Sequence, residues 1–154
     1  MKKVVGILTL VLVTVGVCSF TMTETDDATG SKKEAVIAAK GINFSDLSFE
    51  QAKAEAKKTG KLIFIDAYAS WCGPCKMMDR NTFSNEEVGE IFNERFINLK
   101  IDMEKSEDGP MLSRMFRVTA YPTFLWVDGD GKLVKRELGY KTPEQFITVV
   151  QDLK

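Results

Sequence analysis

The sequence predicts an α/β domain, on three observations. Strand-like runs alternate with segments that carry helix-capping residues. The last two such runs, Thr123–Val127 and 132–138, flank Asp128-Gly129-Asp130-Gly131 as the arms of a hairpin would. Two cysteines three positions apart, Cys72 and Cys75, stand where a strand gives way to a helix.

The elements follow in order. Ile42, Asn43 and Phe44 are expected to form a short first strand. Ser48-Phe49-Glu50-Gln51 reads as a capping box, with Leu47 before it as a staple, for a helix over 49–58 that Gly60 ends. The strand over 61–67 begins Lys61-Leu62-Ile63-Phe64-Ile65, a buried pattern, and leads to the cysteines. A helix over 73–80 follows, and Ser84-Asn85-Glu86-Glu87 reads as a second capping box restarting it to Glu94. In Phe96–Asp102, Phe96, Asn98 and Lys100 alternate with Ile97, Leu99 and Ile101. Beyond Gly109-Pro110, the residues Met111, Leu112, Met115 and Phe116 share one helical face and are expected in the core. Thr142-Pro143-Glu144-Gln145 supplies the last helix with a cap, a proline at its first position and a capping-box partner.

A chain of 154 residues is expected to form one domain with a sizeable core. Its 21 basic and 22 acidic residues leave a net charge of −1, and no basic cluster is interleaved with aromatics. Nucleic acid is therefore not an expected partner. Residues 1–20 read as an export segment: Met1-Lys2-Lys3 is a charged n-region, and Val4 to Val17 is an apolar h-region too short for an ordinary membrane span. A cut after Ser19 would release a soluble protein. Acylation at Cys18 would instead leave a lipid anchor, and an uncleaved segment would be a third form of attachment. Residues 21–40 are polar over most of their length and read as a flexible tether.

The chemistry is carried by Trp71-Cys72-Gly73-Pro74-Cys75-Lys76. Thiols at this spacing can close a small disulfide at the start of a helix. Cys72 is placed at the helix N-terminus, where unpaired N–H groups and the helix dipole favour a thiolate. Cys75, one turn in and less exposed, is placed to attack the Cys72 sulfur once that sulfur carries a mixed disulfide. Pro74 lies where a missing N–H costs nothing. Structural zinc usually takes four Cys or His ligands, whereas this chain has no His and only one further Cys. No metal and no cofactor are expected.

Trp-Cys-Gly-Pro-Cys-Lys resembles the active site of the thioredoxin family. Asp66, six positions before Cys72, falls where that family carries a buried acid; Tyr121-Pro122-Thr123 resembles its cis-proline loop, and Gly139 the glycine before its last helix. Cys75-Lys76-Met77-Met78 and the stretch from Thr82 to Val88 are similar to the C-terminal reductase domain of transmembrane thiol-disulfide interchange proteins. The resemblance spans roughly residues 42–153, within a domain taken as 41–154. It implies a thioredoxin fold: a mixed central sheet of about five strands, ordered 1-3-2-4-5, with helices on both faces.

The resemblance also assigns roles. Cys72 is the nucleophile and Cys75 the resolving thiol, the two forming the redox-active disulfide. Asp66 accepts the Cys75 proton, its pKa raised by burial; the alternative is a strand-end acid satisfied by backbone N–H groups. Thioredoxins often carry a lysine at the position of Asn98, with Lys100 here two residues on, so whether Asp66 has a cationic partner is open. Trp71, Gly73, Pro74, Tyr121 and Pro122 form the substrate-binding surface, with Tyr121 offering its backbone and Trp71 an exposed rim. A half-buried Trp71 and a trans Pro122 opening an edge strand are the alternatives.

The activity implied is a thiol-disulfide oxidoreductase, in the reducing direction on its Gly-Pro pair. Its substrates are disulfide-containing proteins, and it works outside the cytoplasm as a monomer. Because exported compartments are oxidising, its electrons are expected from a membrane thiol-disulfide transporter. An oxidase or isomerase of the same fold, or a peptide-binding module without turnover, is the rival reading.

Overall fold

The computed structural model describes residues 41–153. The expectations for residues 1–20, including Cys18, and for the tether at 21–40 lie outside the described residues. The elements are α1 (Phe49–Thr59), β1 (Leu62–Tyr68), α2 (Gly73–Met77), a π-helical segment (Met78–Phe83), α3 (Glu86–Arg95), β2 (Phe96–Asp102), α4 (Gly109–Met115), β3 (Thr123–Val127), β4 (Leu133–Leu138) and α5 (Pro143–Val150).

The strands form one mixed sheet in the order β2-β1-β3-β4. β1 runs parallel to β2, with Asp66 opposite Lys100, and antiparallel to β3, with Asp66 opposite Phe124. Alternation along the strands gives each face its own core. Ile63, Ile65, Leu125 and Val127 point to the side covered by Phe49, Ala52 and Ala56 of α1 and Leu112 of α4. Phe64, Phe124 and Trp126 point to the other, against Phe92 of α3 and Phe146 of α5. Phe92 and Phe146 stack there at 4.7 Å, and Phe64 meets Phe92 edge-on at 5.0 Å.

Two helices begin as their sequence signals require. Ser48 and Gln51 exchange the two capping-box hydrogen bonds before α1, and Thr142 and Gln145 do the same before α5. Gly60 ends α1 at φ +74°, a conformation costly for any residue with a Cβ.

Three expectations are corrected. The first strand does not form, so the sheet has four strands and not about five; those four keep the expected relative order. The segment meets β2 through one backbone bond, Ser45 N–H to the Asn98 carbonyl. Ile42 N–H donates instead to the Phe83 carbonyl, and side-chain amides engage Asn43: its N–H donates to Asn93 Oδ1 at 2.8 Å, and Asn98 Nδ2 donates to its carbonyl. Next, the active-site helix changes to a π-helical turn after Met77, and Asn85 caps α3 by accepting the Val88 N–H at 3.0 Å. Ser84, the expected cap, instead donates its hydroxyl to the Arg80 carbonyl. Finally, only half of the α4 stripe is core. Leu112 and Phe116 are buried, while Met111 and Met115 are 39% and 53% exposed. The helix has seven residues and is pressed onto the sheet by Gly109, where a Cβ would meet the Asp102 carbonyl at 2.4 Å, so its inner stripe is narrow.

Candidate active site

β1 ends at Tyr68, and a short strap carries the chain to Cys72, the N-cap of α2. A cap residue is extended while its successor is helical, so its side chain folds over the first free N–H groups. Cys72 Sγ accepts the Cys75 N–H at 3.1 Å. Pro74 lies in the first turn, where no N–H is needed. The cysteines are joined as a disulfide with Cα atoms 5.3 Å apart. Cys72 was expected to be the more exposed of the two, yet both are 2% exposed, packed with Ala69 against Tyr68 and Tyr121. Gly73 is exposed beside them, with open space where a Cβ would stand.

The peptide bond between Tyr121 and Pro122 is cis, as the resemblance implies. The Pro122 carbonyl accepts the Gly139 N–H at 2.9 Å, which ties this loop to the end of β4. Trp71 is 67% exposed, its ring edge-on to Tyr121 at 5.9 Å. The exposed-rim alternative therefore describes Trp71 and the half-buried one does not. Burial, and then the charges of Glu104 and Asp102, hold the Tyr121 hydroxyl above its ordinary pKa.

Asp66 lies on the α3–α5 face of the sheet and is 0% exposed. The register answers whether it has a cation: Lys100 stands opposite, its Nζ 2.7 Å from Asp66 Oδ2 and 2.6 Å from Asp79 Oδ1. The position opposite Phe64 belongs to Asn98, whose amide is spent on Asn43, Phe92 and Asn93. Burial pushes the Asp66 carboxyl up to about 6, against the pull of Lys100 and with a smaller push from Asp79. Burial draws the Lys100 ammonium down, but its two carboxylates outweigh that and hold it raised. Asp66 Oδ1 has no hydrogen-bond partner among the described residues. The backbone-satisfied alternative for Asp66 is thereby corrected, since its hydrogen bond comes from Lys100.

Asp79, Asp102 and Glu104 escaped the sequence reading. Asp79 reaches Lys100 from the π-helical segment, and Glu104 accepts the Trp71 indole N–H at 2.9 Å. Neither relation has a local signal, because each partner comes from a separate element. Among the described residues no group of His, Cys, Asp and Glu side chains is arranged to hold a metal, and no helix is long and apolar enough to cross a membrane.

Comparison with known proteins agrees with this geometry. The model of a family described as thioredoxin-like matches residues 44–129. A solved structure of a candidate disulphide-isomerase from Bacteroides thetaiotaomicron is 42% identical, with a TM-score of 0.64, over 73% of this chain and 93% of that one. The thiol:disulfide interchange protein DsbD of Tatumella citrea is 26% identical over 84% of this chain, which spans only 22% of DsbD. Thioredoxin H2 of Arabidopsis thaliana is 36% identical over 58% of this chain and 62% of its own length. The chain belongs to the thioredoxin-like family, and its Cys72–Cys75 disulfide stands at the N-terminus of α2.

Proposed function

We propose that the protein is an exported protein-disulfide reductase. The observation that carries the reading is Cys72 at the N-cap of α2, its sulfur receiving the Cys75 N–H, next to the cis Tyr121–Pro122 loop. A thiolate at Cys72 attacks a substrate disulfide; one substrate sulfur leaves and takes a proton, and the other stays bound to Cys72. Asp66 takes the Cys75 proton, and Cys75 then attacks the Cys72 sulfur and releases the second substrate thiol. The substrate gains two electrons and the enzyme keeps the Cys72–Cys75 disulfide, the form seen here. Trp71, Gly73, Pro74, Tyr121 and Pro122 line the surface on which the substrate chain lies.

Regeneration needs a dithiol donor, and a membrane thiol-disulfide transporter is the donor proposed. The likeness to DsbD, a thiol:disulfide interchange protein, supports that choice. Export rests on the charged and apolar start of residues 1–20, with 21–40 as tether and 41–154 as the working domain. The enzyme is proposed to act as a monomer without metal or cofactor. An isomerase is the second reading, favoured by the description of the Bacteroides relative.

The test is reduction of a protein disulfide such as insulin by the full chain with dithiothreitol as electron source. Wild type turns over and Cys72→Ser does not. A Cys72→Ser protein with full function would leave a peptide-binding module. Faster recovery of a scrambled protein than of a uniformly oxidised one would favour the isomerase.

A further inference from the structure

The loop after β2 is built around one buried carboxylate. Asp102 Oδ2 accepts the Ser70 N–H at 3.1 Å, and its Oδ1 accepts the N–H groups of Glu104 and Lys105 at 3.0 and 3.1 Å. Ser106 closes the loop, its Oγ accepting the Asp102 N–H and its own N–H donating to the Asp102 carbonyl. Met103 N–H donates to the Tyr68 carbonyl, and Lys105 Nζ to Ser70 Oγ at 2.6 Å. The loop is thus stitched to the strap that precedes Cys72.

What this stitching presents is Glu104. Its Oε2 accepts the indole N–H of Trp71 at 2.9 Å. Trp71 is otherwise mostly in solvent, with Tyr121 as its aromatic neighbour. An exposed indole samples several rotamers unless a bond selects one, and a bond to a carboxylate is of the stronger kind.

We propose that Glu104 is a positioning residue for polypeptide substrates: by holding the Trp71 indole edge-on to Tyr121, it keeps one wall of the groove beside Cys72 in place before a chain arrives. The inference rests on the reductase reading and deepens it. A wall already ordered loses no rotamer freedom on binding, so its loss is felt in KM. An extended chain leans on that wall more than a small disulfide does.

The test compares insulin with hydroxyethyl disulfide as substrates of the full-length protein, dithiothreitol supplying electrons. The readout is the ratio of the two kcat/KM values, from which the fraction of folded enzyme cancels. In Glu104→Leu the ratio falls about five-fold, the worth of one hydrogen bond, through KM for insulin. Glu104→Gln, which keeps an acceptor, restores it. An unchanged ratio in Glu104→Leu, or an equal fall in Glu104→Gln, overturns the proposal. If wild type reduces neither substrate, the reductase reading fails, and the indole N–H resonances decide this inference. Trp71 should shift further in Glu104→Leu than in Glu104→Gln, with Trp126 still in both; an unmoved Trp71 in Glu104→Leu overturns it.

Discussion

Lys100 faces Asp66 across the parallel β1–β2 pair, and its Nζ also reaches Asp79, so one ammonium joins a buried carboxylate to a solvent-facing one. The buried carboxylate still has its pKa raised to about 6, because removal from water outweighs the attraction of Lys100. A charge kept at that cost is expected where a proton must move.

Asp66 should make stability fall with rising pH. Its folded pKa of about 6 lies above the unfolded value near 3.8, so between the two the folded state holds a proton that the unfolded state has lost. The contribution is full below the unfolded pKa and is lost as pH rises through about 6, at roughly 1.4 kcal/mol for each pH unit between the two values. Urea unfolding of Asp66→Asn should show a gain over wild type at pH 8 that fades by pH 4. A gain of equal size at both pH values would contradict this assignment.

Removing the cation should move the same titration. In Lys100→Met, Asp66 loses the attraction that opposes burial, and its pKa should rise by about one unit or more. Stopped-flow measurement of the resolving step against pH should show a midpoint displaced upward from about 6. A midpoint that stays or falls would separate Lys100 from the chemistry.

The order of attack predicts which cysteine variant traps substrate. Cys75→Ser incubated with a protein disulfide should accumulate a covalent complex through Cys72, visible by mass and released by dithiothreitol. Cys72→Ser should accumulate far less. Equal trapping by both variants would remove the distinction between nucleophile and resolving thiol.

The α3–α5 core should depend on Phe146. Its ring stacks on Phe92 and meets Phe64, Phe83 and Phe124, all at 5.7 Å or less. Phe146→Ala should lose about 3–5 kcal/mol of unfolding free energy in urea. A loss below about 1 kcal/mol would mean that the cavity collapses.

Much of this architecture is legible locally. Ser48 with Gln51, and Thr142 with Gln145, sit at capping-box spacing and form those boxes. Cys72 stands at the helix N-terminus where the motif places it, and Pro74 in the first turn that proline favours. What is not legible depends on neighbours from other elements. Ile42 and Phe44 alternate as in a strand, but the amides of Asn93 and Asn98 engage the Asn43 backbone between them. Lys100 becomes the partner of Asp66 through the β1–β2 register, whereas position-by-position likeness to relatives pointed to Asn98. Met111 and Met115 share a helical face with Leu112 and Phe116, yet a seven-residue helix beside a close-packed Gly109 buries only part of that face.

The central claim is that Cys72 and Cys75 form a reducing dithiol, and the equilibrium reduction potential of that pair tests it most directly. Equilibrated against glutathione or dithiothreitol buffers, the full-length protein should give a value near the thioredoxin figure of about −270 mV. A value near about −120 mV, that of a strong disulfide oxidant, would contradict the reductase and make disulfide formation the protein's work.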